Sequence, residues 1–156
     1  MEAQELLLQT FPFRFVWAIE PDRDSDGRIR EFMPQGRYKG AGTSRLNPHG
    51  NGPFCRFKFP RTLNVPGVYA VMVDDQVRYI GECANLSARW GLTQYGSIQP
   101  KNCYVGGQST NCKVNNRVLL AARDGHAVKL WFHQTHEYKP CELVLRAALR
   151  PEWNSF

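Results

Sequence analysis

From residue 65 onward, apolar and polar positions follow two clear periods. Residues 67–73 (GVYAVMV) and 76–81 (QVRYIG) are dense in β-branched and aromatic side chains, with Asp74 and Asp75 between them. That pattern predicts two strands joined by a turn. Residues 84–92 (ANLSARWGL) set Leu86 and Trp90 four apart, the spacing of one helical face. Residues 109–125 open on Ser/Thr cap candidates, close on Gly125 and carry Val114, Val118, Leu119 and Ala122 at helical spacing. In 127–134, Val128, Leu130 and Phe132 alternate, which predicts a third strand, and 141–150 read as a helix stopped by Pro151. The predicted order is β-β-α-α-β-α, an α+β pattern.

The first 63 residues are less regular. Residues 1–10 read as a short helix. Residues 13–21 and 27–34 read as strands flanking a hairpin turn at DRDSDG, and 53–59 (PFCRFKF) as a further strand. Between them lies 36–53, rich in Gly, Asn and Pro, a long loop. The expected division is an N-terminal extension of hairpin and loop over 1–63 and a second unit over 64–156.

Composition is that of a globular protein: 156 residues, 42% hydrophobic and 22% charged. No apolar run approaches the ~18 residues of a membrane span, and the acidic N-terminus lacks the basic start of a secretion signal. No membrane association and a cytoplasmic location are expected. Five scattered cysteines without a C-x-x-C pair read as free thiols.

Charge changes the picture more. The net charge is +6, and no acidic residue falls between Glu31 and Asp74, an interval holding Arg37, Lys39, Arg45, Arg56, Lys58 and Arg61. A Gly-rich loop carrying such charge suits a phosphate backbone, since it releases condensed counterions and approaches closely. The plainer alternative is a solvated basic surface. Arg37, Lys39 and Arg45 are the DNA-contact candidates here. Asn111, Lys113 and Arg117 are further candidates at the start of the 109–125 helix, where backbone N–H groups favour anions. Asn111 reads equally as a cap.

The segments GVY, RYIG and ANLSARW, in that order, resemble the signature of the GIY-YIG nuclease superfamily. Glu142 in CELVLRAALR and Asn154 in PEWN match two later polar positions of the same family, so the resemblance covers 64–156. It implies a small three-stranded antiparallel sheet flanked by helices, with Tyr69, Tyr79, Arg89, Glu142 and Asn154 as catalytic residues. It also implies Glu142 as ligand of Mg²⁺ (or Mn²⁺). Such residues suit phosphodiester hydrolysis: a carboxylate is a hard oxygen ligand, and a guanidinium fork holds two phosphate oxygens. An ordinary phenol titrates near ~10. Beside Arg89 and a metal-bound water, the Tyr69 phenolate is expected to serve as general base, with Tyr79 orienting water or phosphate. Singly, each residue has a plainer reading. The tyrosines are good sheet aromatics. Glu142 stands one turn before Arg146, the spacing of an ion pair worth ~0.3–0.5 kcal/mol.

Some family members carry a histidine after the helix arginine, where GLTQYG here offers Thr93. DRDSDGRIREFM imitates a calcium loop, but Met33 occupies the position of the bidentate glutamate, so a hairpin turn is expected. The chain ends soon after Asn154, so no separate DNA-binding domain is expected downstream. That arrangement is similar to compact restriction enzymes and the phage endonuclease II group. The expected activity is Mg²⁺-dependent cleavage of double-stranded DNA by a homodimer or higher homo-oligomer. The alternatives are an inert DNA-binding module and a structure-specific, repair-type nuclease.

Overall fold

In the computed structural model, which describes residues 4–155, the chain runs β1 (Glu5–Leu8), β2 (Phe11–Ala18), β3 (Gly67–Val73), β4 (Gln76–Cys83), α1 (Leu86–Trp90), α2 (Ser109–Arg123), β5 (Val128–Gln134) and α3 (Tyr138–Leu149). The α+β class and the element order from residue 65 are as expected. The sheet is larger: five antiparallel strands in the order β1-β2-β5-β3-β4, not three.

The two extra strands come from the N-terminus. Residues 5–8 form a strand, not the expected helix, because Leu6 and Leu8 point inward while Leu7 is exposed. Gln9, at φ +55°, turns the chain into β2. β2 then pairs with β5 through Arg14↔Phe132 and Phe15↔Trp131. A three-stranded sheet would leave that edge of β5 with unpaired backbone groups. Residues 27–34 and 53–59 form no ladder and are joined by isolated bridges such as Phe32↔Phe54. The turn at 24–27 is present: Asp24 Oδ1 accepts from the N–H groups of Asp26 and Arg28, so this carboxylate caps a turn.

β3 is buried at every position because both sheet faces are covered. Val68, Ala70 and Ile80 meet Cys141 and Leu145 of α3. Tyr69, Val71, Tyr79 and Leu130 meet Trp90 of α1 and Val114, Val118 and Leu119 of α2. Each buried Val, Leu or Ile among them contributes about 1.5–3 kcal/mol on burial. A third cluster docks the N-terminal loop: Phe54 packs with Ile98, Cys103, Tyr104 and Cys112. Tyr38 stacks on Tyr104 at 4.8 Å, and Asn47 donates to the Asn102 carbonyl. All five cysteines are free and buried. No helix among the described residues is long and apolar enough to cross a membrane.

Candidate active site

The β3–β4 register sets Tyr69 opposite Gly81 and Val71 opposite Tyr79, so both phenols emerge on one face. Their rings lie 6.1 Å apart, 29° from parallel. Tyr69 folds across Gly81, where a Cβ would overlap its ring; this is the physical reason for glycine after Tyr79-Ile80. α1 begins on Asn85, whose Oδ1 accepts from the Ala88 N–H. One turn on, Arg89 donates to the Tyr69 hydroxyl (3.3 Å), the Glu82 carbonyl (3.0 Å) and Gln94 Oε1 (3.1 Å). The guanidinium is thus held by three acceptors, one each from β3, β4 and the turn after α1.

The segment after α1 supplies a residue that sequence reasoning passed over. Tyr95 places its hydroxyl 2.8 Å from that of Tyr69, and its ring meets Trp90 edge-on at 4.9 Å. Its N–H donates to the Arg89 carbonyl, and its own carbonyl accepts from Asn115 Nδ2. Thr93, the side chain noted in GLTQYG, lies instead at a neighbouring cavity. The signal for Tyr95 was its place in the same turn.

Glu142, on α3, has a side chain 14% exposed and accepts from Arg146 Nη1 at 3.1 Å, so the i, i+4 pair is formed. Its other oxygen has no partner among the described residues. Asn154 is engaged at both ends of its amide: Oδ1 accepts from the Ile80 N–H (3.0 Å) and Nδ2 donates to the Ile80 carbonyl (2.9 Å). With Trp153 N–H on the Arg78 carbonyl and an Arg78–Glu152 ion pair, it binds the C-terminal segment along the free edge of β4. Lys113 of α2 stands 5.7 Å from the Tyr79 ring centroid and 3.4 Å from Ser155 Oγ.

Tyr69, Tyr79, Arg89, Glu142, Asn154 and Lys113 line one cavity of about 760 Å³. Arg37 and Lys39 line a second, of about 750 Å³, and Asn111 lines both. Arg45 lines neither, and Arg117 faces a smaller hollow beside Arg78. The N-cap of α2 is Gln108, so Asn111 is not the cap; its Nδ2 donates to Gln108 Oε1.

Burial pushes the Tyr69 hydroxyl well up from the ordinary phenol value. Tyr95 and then Tyr79 add to this, and Arg89 only partly opposes it. Burial also raises Tyr79, with Tyr95 next, against the pull of Arg89. Both shifts favour the protonated phenol, the opposite direction from the phenolate expected of Tyr69. Burial lowers Lys113, followed by Arg117 and Arg146. Among the described residues, three cations (Arg89, Lys113 and Arg146) and two carboxylates (Glu82 and Glu142) line the cavity, a balance that favours an anionic guest. No group of three or more His, Cys, Asp or Glu among the described residues could hold a metal ion. That donor set does not suit zinc, which takes three or four nitrogen or sulfur ligands. It fits Mg²⁺, which keeps most of its waters and needs one or two carboxylates.

No protein-family model and no curated protein matches the chain. Among solved structures, that of a bacteriophage T4 EndoII mutant is similar at a TM-score of 0.45 and 15% identity, covering 72% of this chain and 87% of that one.

Proposed function

We propose that the protein is a Mg²⁺-dependent DNA endonuclease acting in the manner of the GIY-YIG nucleases. One observation supports this above the rest: Tyr69, Tyr79, Arg89, Glu142 and Asn154, spread over 86 positions of sequence, meet in one cationic cavity. Arg89 grips the phosphate, and its contacts to Tyr69, Glu82 and Gln94 fix the fork before substrate arrives. Glu142 would hold the metal through the oxygen that Arg146 leaves uncommitted, and the cation would supply charge neutralisation and an acidified water. Tyr69 keeps a proton at its Oη and orients the attacking water by hydrogen bonding, with Tyr95 Oη fixing the direction of that proton. Tyr79 closes the cavity floor beside it. Asn154 is a positioning residue that keeps β4, and so Tyr79 and Gly81, in place. Cutting both strands calls for two copies, and a homodimer is part of this reading.

The test is plasmid cleavage by the purified protein with Mg²⁺, with EDTA and as Glu142→Ala. Discrete or smeared products that disappear with EDTA and with the variant support the reading. Cleavage that survives both rejects it. A second reading, a DNA-binding module without catalysis, draws on the Glu142–Arg146 pair, which engages the only α3 carboxylate at the cavity. An intact plasmid that still shifts on a gel would favour it.

A further inference from the structure

The second cavity has a different chemistry from the first. It lies between the N-terminal loop, which contributes Arg37, Tyr38 and Lys39, and residues 93–111. Among the described residues its charges are few and all positive, and no Asp or Glu lines it. What dominates is carboxamide: Gln94, Gln99, Asn102, Gln108 and Asn111 converge there, with Thr93 beside them.

The hydrogen bonds decide which ends of these amides are available. Gln94 Oε1 is taken by Arg89, Gln108 Oε1 by Asn111 Nδ2, and Asn102 Oδ1 by the Gln108 N–H. That leaves Gln94 Nε2 and Gln108 Nε2 as donors, Asn111 Oδ1 as an acceptor and the whole Gln99 amide as both, none with a protein partner among the described residues. A phosphate site wants donors only. A wall presenting donors and acceptors together matches the edge of a nucleic-acid base, which also mixes the two. Tyr38, stacked on Tyr104, adds an aromatic wall.

The two cavities share a wall made by Gln94, Gln108 and Asn111. Gln94 accepts from the guanidinium assigned to the phosphate while its other end faces the amide cavity. We propose that this second cavity reads base edges of the DNA strand whose phosphodiester lies in the first, with Gln99 and Gln108 as specificity-determining residues. The proposal rests on the nuclease reading for its substrate, but not on catalysis.

The test therefore uses binding. A duplex DNA library with a randomised centre is incubated with the full chain in EDTA, and the bound fraction is sequenced for wild type, Gln99→Leu, Gln108→Leu and Lys101→Ala. Gln99 and Gln108 are exposed, and thermal melting checks that each variant folds. The wild-type pool is expected to carry a preferred sequence. Gln99→Leu should flatten it at particular positions by roughly ten- to hundredfold, the span of one bidentate base contact, and Gln108→Leu by less, since its Oε1 is held by Asn111 and only its Nε2 is offered, with little change for unselected DNA in either. Lys101→Ala should weaken binding to all sequences alike and lower the salt slope by about one. A preference unchanged in both glutamine variants overturns the proposal, as does a wild-type pool that binds without preference. No binding at all overturns it together with the DNA reading. Selective binding without cleavage in Mg²⁺ removes the nuclease reading and leaves the base reader standing.

Discussion

The two cavities share a wall and differ in what builds their floors. The tyrosine cavity rests on paired strands and three helices, and its tyrosines are buried. The amide cavity is walled by segments outside the named helices and strands, apart from the first residues of α2, and Gln99, Lys101 and Gln108 are exposed. Chemistry that tolerates little displacement belongs on rigid elements. Recognition, which varies between relatives without loss of fold, belongs on loops held at a few points. Here those points are the Tyr38–Tyr104 stack and the Asn47 bonds to the Asn102 and Tyr104 carbonyls.

The largest effect that separates the two is expected at Arg89. Arg89→Ala removes the fork from the phosphate and should lower the single-turnover cleavage rate by about 10²–10³-fold, leaving sequence preference in binding largely intact. Arg89→Lys should recover only a part, since an ammonium cannot match the three acceptors that hold the guanidinium. Loss of preference together with rate would mean that the cavities are one site.

Much of the rigid cavity was legible in the sequence, because strands and helices after residue 65 announce themselves by period and four of the five polar positions ride on them, Asn154 following in the segment after α3. The rest depended on contacts the local pattern does not encode. β2 finds its partner in β5, far along the chain, and three leucines in a row hide a period of two in β1. Tyr95 reaches Tyr69 only because the turn after α1 closes through Tyr95 N–H to Arg89 O and Gly96 N–H to Gly91 O. The raised Tyr69 follows from burial, which a sequence motif does not show.

Next in size is Gly81→Ala. A methyl group there meets the buried Tyr69 ring, so overpacking should cost about 1–3 kcal/mol, read as a lower urea midpoint with a parallel loss of cleavage. A neutral result would mean that Tyr69 moves freely and the floor is not rigid. Asn154→Ala leaves Ile80 N–H and C=O without their amide partner; about 1 kcal/mol is expected, checked by thermal denaturation. The smallest effect lies outside the lining of both cavities, at the β3–β4 turn. The Asp74 carboxyl is held below its ordinary value by the Ala127 N–H and by His126. A lowered folded-state value stabilises above the usual carboxylate range of ~4 and fades as the pH falls through it. Asp74→Asn should flatten that acid limb of the stability profile without altering cleavage at neutral pH.

The central claim is that phosphodiester chemistry occurs at the buried tyrosine cavity, and Tyr69→Phe tests it most directly, because it deletes one oxygen and keeps the ring. The measurement is the single-turnover rate of plasmid cleavage in Mg²⁺ at saturating protein. The account predicts a fall of about 10²–10³-fold with DNA affinity nearly unchanged and the melting temperature lower by only a few degrees, because the buried Tyr95 hydroxyl loses its partner. A rate within a few-fold of wild type would place the chemistry elsewhere and contradict it.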